Sequence, residues 1–171
     1  MLRLSWLIST GISLFGVLLI EHFFTLTADN TEGHGGNLGA VGLALVAPFI
    51  LLSLFITFRY FAERSRLAKD QILRTCLLIG GSALAAALLY YALDYKEAVY
   101  TTLGGTTKDK ESIIYQFPVL NEYTNKIFIN FYTFTFAHTI SAIVGGLSGI
   151  LKPQQTETTA NIEGEHVVKD I

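Results

Sequence analysis

Four ionisable side chains stand inside, or at the edge of, long apolar runs: Glu21 and His22 in LFGVLLIEHFFTL, Asp94 in LLYYALDYKE and His138 in TFAHTISAIVGG. A charge at membrane depth is costly, so such residues mark proton relays, ligand sites or interior polar contacts. Glu21, Asp94 and His138 are therefore the candidates for proton or ligand chemistry. A second set gathers in sequence: His22 lies a few residues before the connector TADNTEGHGGN, which holds Asp29, Glu32 and His34. Mixed carboxylate and imidazole donors suit zinc, copper or manganese, so a metal ion is the cofactor these residues raise. A bis-histidine haem needs two imidazoles at matching depth on facing helices. His22 and His138 differ in expected depth by ~8–9 Å at ~1.5 Å of rise per residue, which argues against it.

The elements that would carry these residues follow from composition. Hydrophobic residues make up 51% of the 171-residue chain and charged residues 15%, and the mean hydropathy is +0.45. Those values belong to a membrane protein. Four apolar runs are long enough to cross a hydrocarbon core of ~30 Å: 4–26, 38–61, 75–95 and 127–151. The fold expected is an all-α membrane protein, a four-helix up-down bundle over 1–151, followed by a polar tail, 152–171, that reads as disordered. The N-terminal run continues without a small-residue cleavage site and reads as a retained span. Pro48 predicts a kink near Ala44–Pro48 in the second span. In the connector 96–126, the β-rich runs AVYTTL and SIIYQFPV flank GGTTKDKE, which reads as a small β-hairpin-like loop.

Helical spacing sorts the candidates onto faces. His138 shares a face with Ser141, Ala142, Gly145 and Gly149, and the third span carries Gly81, Ala85 and other small residues at four-residue intervals. Gly81, Ala85, Ser141, Gly145 and Gly149 are thus the expected helix-packing residues. Glu21 and His22 point ~100° apart, so Glu21 is the better candidate for the interior and His22 for the rim or a partner. Arg64, Arg66, Lys69 and Arg74 cluster in the second connector, whereas the first has no Lys or Arg. By the positive-inside rule both termini are cytoplasmic and the 96–126 loop is extracellular, in a multi-pass protein of the cell membrane.

A net charge of −2 and the lack of a basic tract give no footprint for nucleic acid. The single cysteine, Cys76, excludes an intramolecular disulfide and a Cys-based metal cluster. No nucleotide loop, nucleophile triad or HExxH motif is present, so nothing in the sequence marks an enzyme. Two functions are expected. One is a structural or accessory subunit, its partners the lipid bilayer and other membrane subunits or copies of itself. The other is a small proton- or metal-coupled transporter using Glu21, Asp94 and His138. Glu21 in the first of four short spans resembles the small multidrug-resistance transporters; the likeness implies proton exchange at Glu21. The chain departs from them in its long third connector and in having no tryptophan beyond Trp6.

Overall fold

The computed structural model describes residues 2–28, 36–67 and 75–151. Among these residues every element is helical: α1 (Leu2–Phe23), α2 (Leu38–Leu67), α3 (Cys76–Thr102), the one-turn α4 (Asn125–Phe128) and α5 (Phe131–Leu151). α3 opens with a π-wound turn, Cys76–Gly80. Four spans, with α4 and α5 counted as one, are long and apolar enough to cross a membrane, which makes this a multi-pass membrane protein by length and composition. The expected tail, 152–171, and the connector residues Asp29, Glu32, His34, Lys69 and Arg74 lie outside the described residues.

α2 and α5 form the central pair; α1 packs on the flank of α2 and α3 on the flank of α5. Apolar burial drives little association between helices in lipid, so close backbone approach and interhelical hydrogen bonds have to hold this pair. A methyl group at Gly145 would strike the carbonyl oxygen of Phe58, and one at Gly149 that of Ala62. One turn earlier on the same face, Ser141 Oγ donates to the Leu54 carbonyl at 2.8 Å. The face 141-145-149 thus lies directly on the backbone 54-58-62, four-residue steps against four-residue steps. Gly81 of α3 meets Ile143 of α5, and Ala85 is buried. α2 runs as one helix through Pro48, and Ser13 of α1 donates to the adjacent Phe49 carbonyl at 2.9 Å.

The connector after α3 is not a hairpin. AVYTTL supplies the last turn of α3, which continues two turns past the expected end at Tyr95. Val99 and Leu103, one helical turn apart, are 6% and 2% exposed and pack with Leu26, Ile114, Tyr123 and Ile127. Burial at a four-residue step selects helix over the two-residue step of a strand. The Gly-Gly pair read as a hairpin turn is the helix stop. Gly104 has φ +77°, Gly104 N–H donates to Thr101 O at 3.1 Å and Gly105 N–H to Tyr100 O at 2.8 Å, the Schellman pattern. SIIYQFPV then forms successive tight turns (Tyr115 N–H to Ser112 O, Phe117 N–H to Ile114 O) around the fully buried Ile114.

The last span is also not one helix. Ile129 leaves the helical region at φ −123°, ψ 86°. Asn130 then caps α5: its Oδ1 accepts the Thr133 N–H at 2.9 Å and Thr133 Oγ1 accepts the Asn130 N–H at 3.2 Å, a reciprocal box. Its Nδ2 donates to the Lys126 and Ile127 carbonyls, satisfying the end of α4.

Candidate functional site

Two groups of polar residues sit within the bundle, one near the loop end and one nearer its middle. At the loop end, Tyr95 OH donates to Glu21 Oε1 at 3.1 Å, and the Phe131 N–H at the start of α5 donates to Glu21 Oε2 at 3.3 Å. Phe131 N–H is one of the unpaired amides at a helix start, where the positive end of the helix dipole favours a carboxylate. The Lys126 ammonium adds a nearby positive charge. Glu21 therefore clasps α1 to α3 and α5 at once.

Asp94 takes no part in this clasp. It is exposed on α3, eight residues before the end of the helix rather than at it. Its neighbour Tyr95, ~100° round the helix, is the residue that turns to Glu21. Tyr95 was not among the candidates read from the sequence; its spacing of four from Tyr91, which stacks on Tyr132 of α5 at 5.9 Å, was the available signal. His22 is exposed, its Nδ1 donating back to the Leu18 carbonyl at 3.1 Å. Glu32 and His34 lie outside the described residues, and among those described no three His, Cys, Asp or Glu side chains gather in a metal-binding group.

Deeper in the bundle, His138 is 8% exposed and bridges the central pair. Its Nδ1 lies 2.9 Å from the Phe134 carbonyl and its Nε2 2.9 Å from Ser53 Oγ. A carbonyl only accepts, so Nδ1 carries the proton, and in the neutral ring Nε2 accepts from the Ser53 hydroxyl. That hydroxyl has a second acceptor, Ile50 O, at 2.8 Å. One turn along α2, Thr57 Oγ1 donates to Ser53 O at 2.7 Å and accepts from Trp6 Nε1 at 3.0 Å. The result is a polar seam across α1, α2 and α5 with Trp6 stacked on Tyr60 at its far end, ring centroids 4.8 Å apart.

A third polar cluster, missed by sequence reasoning, pins the loop to the bundle. Asn125 and Asn37 exchange amide bonds, Nδ2 to Oδ1 in both directions, at 2.5 and 3.3 Å. Asn121 Oδ1 accepts the Tyr123 and Thr124 amides, and the Thr124 hydroxyl donates to Val119 O. Asn125, Asn130 and Thr124 are fully buried. The signal was there in Asn121 and Asn125 just before an apolar run, since Asn is a preferred helix-capping residue.

α1 and α3 flank the central pair without packing along each other, and the Glu21–Tyr95 bond joins them at the loop end. Between them lies a groove of about 430 Å³, walled by Thr10 and Leu14 on one side and Leu77 and Leu84 on the other, with His138, Thr135 and Thr139 along its floor.

The fold defines a class, a four-span helical membrane protein with an ordered loop cap. No protein-family model, curated protein or solved structure matches the chain.

Proposed function

We propose that this chain is an integral structural or accessory subunit that works within a larger membrane assembly or as a homo-oligomer. One observation carries the reading. Two of the three ionisable candidates act as fasteners: Glu21 binds Tyr95 and the α5 amide, and His138 binds Ser53 and the Phe134 carbonyl. A coupled transporter needs such groups free to exchange protons with an aqueous path or a substrate. Here they hold helices together. Asp94, the third member of the transporter set, faces away from both.

The partner surface has to be sought on the outer flanks, because Gly145 and Gly149 are consumed against α2. α1 presents Leu4, Ile8, Ile12 and Phe15 outward, a ridge at steps of three and four that fits a neighbouring helix. We place both termini in the cytoplasm of a cell-membrane protein, since Arg3, Arg59, Arg64 and Arg66 gather at the end that carries the N-terminus.

Reconstitution tests the reading against the transporter alternative. Proteoliposomes of the chain alone, under a pH gradient or with zinc or manganese, should give no coupled current. Glu21→Gln and His138→Gln should alter stability without altering flux. A current in the wild type that vanishes in Glu21→Gln would overturn the accessory reading.

A further inference from the structure

We propose that the groove between α1 and α3 is a binding site for a long-chain lipid alcohol. Depth restricts the occupant first. The floor runs from Phe131 to Ile143 along α5, ~18 Å at ~1.5 Å per residue, so the groove opens sideways into the hydrocarbon layer and only bilayer-soluble molecules reach it.

Size restricts it next. About 430 Å³ over that length gives a mean cross-section of ~24 Å². An α-helix with side chains is ~10 Å across and would cover the mouth of the groove rather than lie along its floor. A single hydrocarbon chain can follow the floor, since non-bonded carbons pack ~3.5–4.0 Å apart.

Charge and hydrogen-bond polarity decide the head. Among the described residues no Lys, Arg, Asp or Glu lines the groove, so neither a phosphate nor a carboxylate finds a counter-charge there. The Thr135 and Thr139 hydroxyls have already given their protons, to Phe131 O and Thr135 O at 2.8 Å each. The Thr57 hydroxyl has given its own to Ser53 O. Their oxygens keep lone pairs only, so they bind a donor and repel an acceptor. An uncharged alcohol supplies that donor. On the α1 wall, Thr10 Oγ1 is enclosed and finds no hydrogen-bond partner among the described residues, while Ser9 occupies the Trp6 carbonyl one turn back. Rotation about χ1, for which threonine in a helix has two accessible wells, offers that hydroxyl to the same head group.

Trp6 is the chain's sole tryptophan and lines the groove, which makes its fluorescence the readout. The full chain in phosphatidylcholine nanodiscs is titrated with three probes: a dibrominated octadecyl alcohol, the corresponding fatty acid and the corresponding hydrocarbon. The alcohol should quench Trp6 saturably, with half-saturation about fivefold below that of the hydrocarbon, as one extra hydrogen bond implies; the acid, titrated in alkaline buffer that keeps it an acceptor-only carboxylate, should bind no better than the hydrocarbon. The double variant Thr135→Val/Thr139→Val keeps the volume and should raise the alcohol's half-saturation to the hydrocarbon's. Ala142→Phe fills the floor and should abolish saturation by any probe; if it fails to fold, the valine variant and the probe series still decide. Equal quenching by all three probes, preference for the acid, or no effect of the valines overturns the proposal. So does a Trp6 shielded from every probe in a particle containing two chains, which would put a second copy in the groove.

Discussion

The α2–α5 contact predicts that alanine at Gly145 will destabilise, whereas alanine at Gly11 of α1, away from that contact, will not. At Gly145 the added methyl would strike the carbonyl of Phe58, and a Cβ has no rotamer by which to escape. The collision is with backbone on both sides, so the helices have to separate. Overpacking of this kind costs ~1–3 kcal/mol, and the better helix propensity of alanine returns up to ~1 kcal/mol. The net expectation for Gly145→Ala is a loss of ~1–2 kcal/mol, a factor of ~5–30 in the folding equilibrium. At Gly11 nothing among the described residues lies within 4 Å of the added methyl. Gly11→Ala should therefore be neutral or stabilising by ~0.4–1 kcal/mol. Both variants can be unfolded by SDS titration in mixed micelles, followed by Trp6 fluorescence. If Gly145→Ala matches or exceeds the wild type, the close approach of α5 to α2 is wrong. If Gly11→Ala loses as much as Gly145→Ala, the effect is not one of packing.

Three further outcomes follow from the same geometry. Glu21→Gln and Tyr95→Phe should each destabilise by ~1.5–3 kcal/mol, the range for a hydrogen bond to a charged group, and the double variant should cost less than their sum, since they share one bond; additivity in the same SDS titration would show the clasp to be unformed. The Asp109 carboxyl is held below the usual carboxylate range because the Thr106 N–H and hydroxyl both donate to it. Its contribution to the loop is complete above the unfolded value of ~3.9 and fades as pH falls through the lower folded value, so the Thr106 amide resonance should move only below about pH 4 and lose that movement in Asp109→Asn. Gly104→Ala forces a β-carbon into the left-handed conformation at φ +77°, which costs ~1–2 kcal/mol; protease cleavage between α3 and α4 should accelerate, and Gly104→Asn should be milder.

The four spans were legible because length and apolarity alone specify a crossing helix. The spacing of Ser141, Gly145 and Gly149 was legible as a single face, but not which helix it meets, since small residues say how close and not with whom. What the sequence concealed lies at the loop end. AVYTTL has strand composition yet finishes α3, because Val99 and Leu103 find a buried cluster at helical spacing and tertiary burial outweighs β propensity. Gly104-Gly105 serves a hairpin turn and a helix stop equally well, as both need positive φ. With α3 running on to Thr102, Asp94 lies eight residues before the helix end and is exposed, while Tyr95 is the residue that bonds Glu21. Asn130 was hidden inside an apolar run, where a cap looks like an isolated polar residue.

The mass of the particle that carries this chain in its native membrane bears most directly on the accessory-subunit reading. Tagged protein taken from native membranes in polymer-bounded discs, without detergent, can be weighed by native mass spectrometry against the 18.8 kDa chain. A fixed stoichiometry with other membrane subunits, or a closed oligomer of this chain, is the expected result. A population of single chains, unchanged when the discs are prepared gently and without dilution, would contradict it.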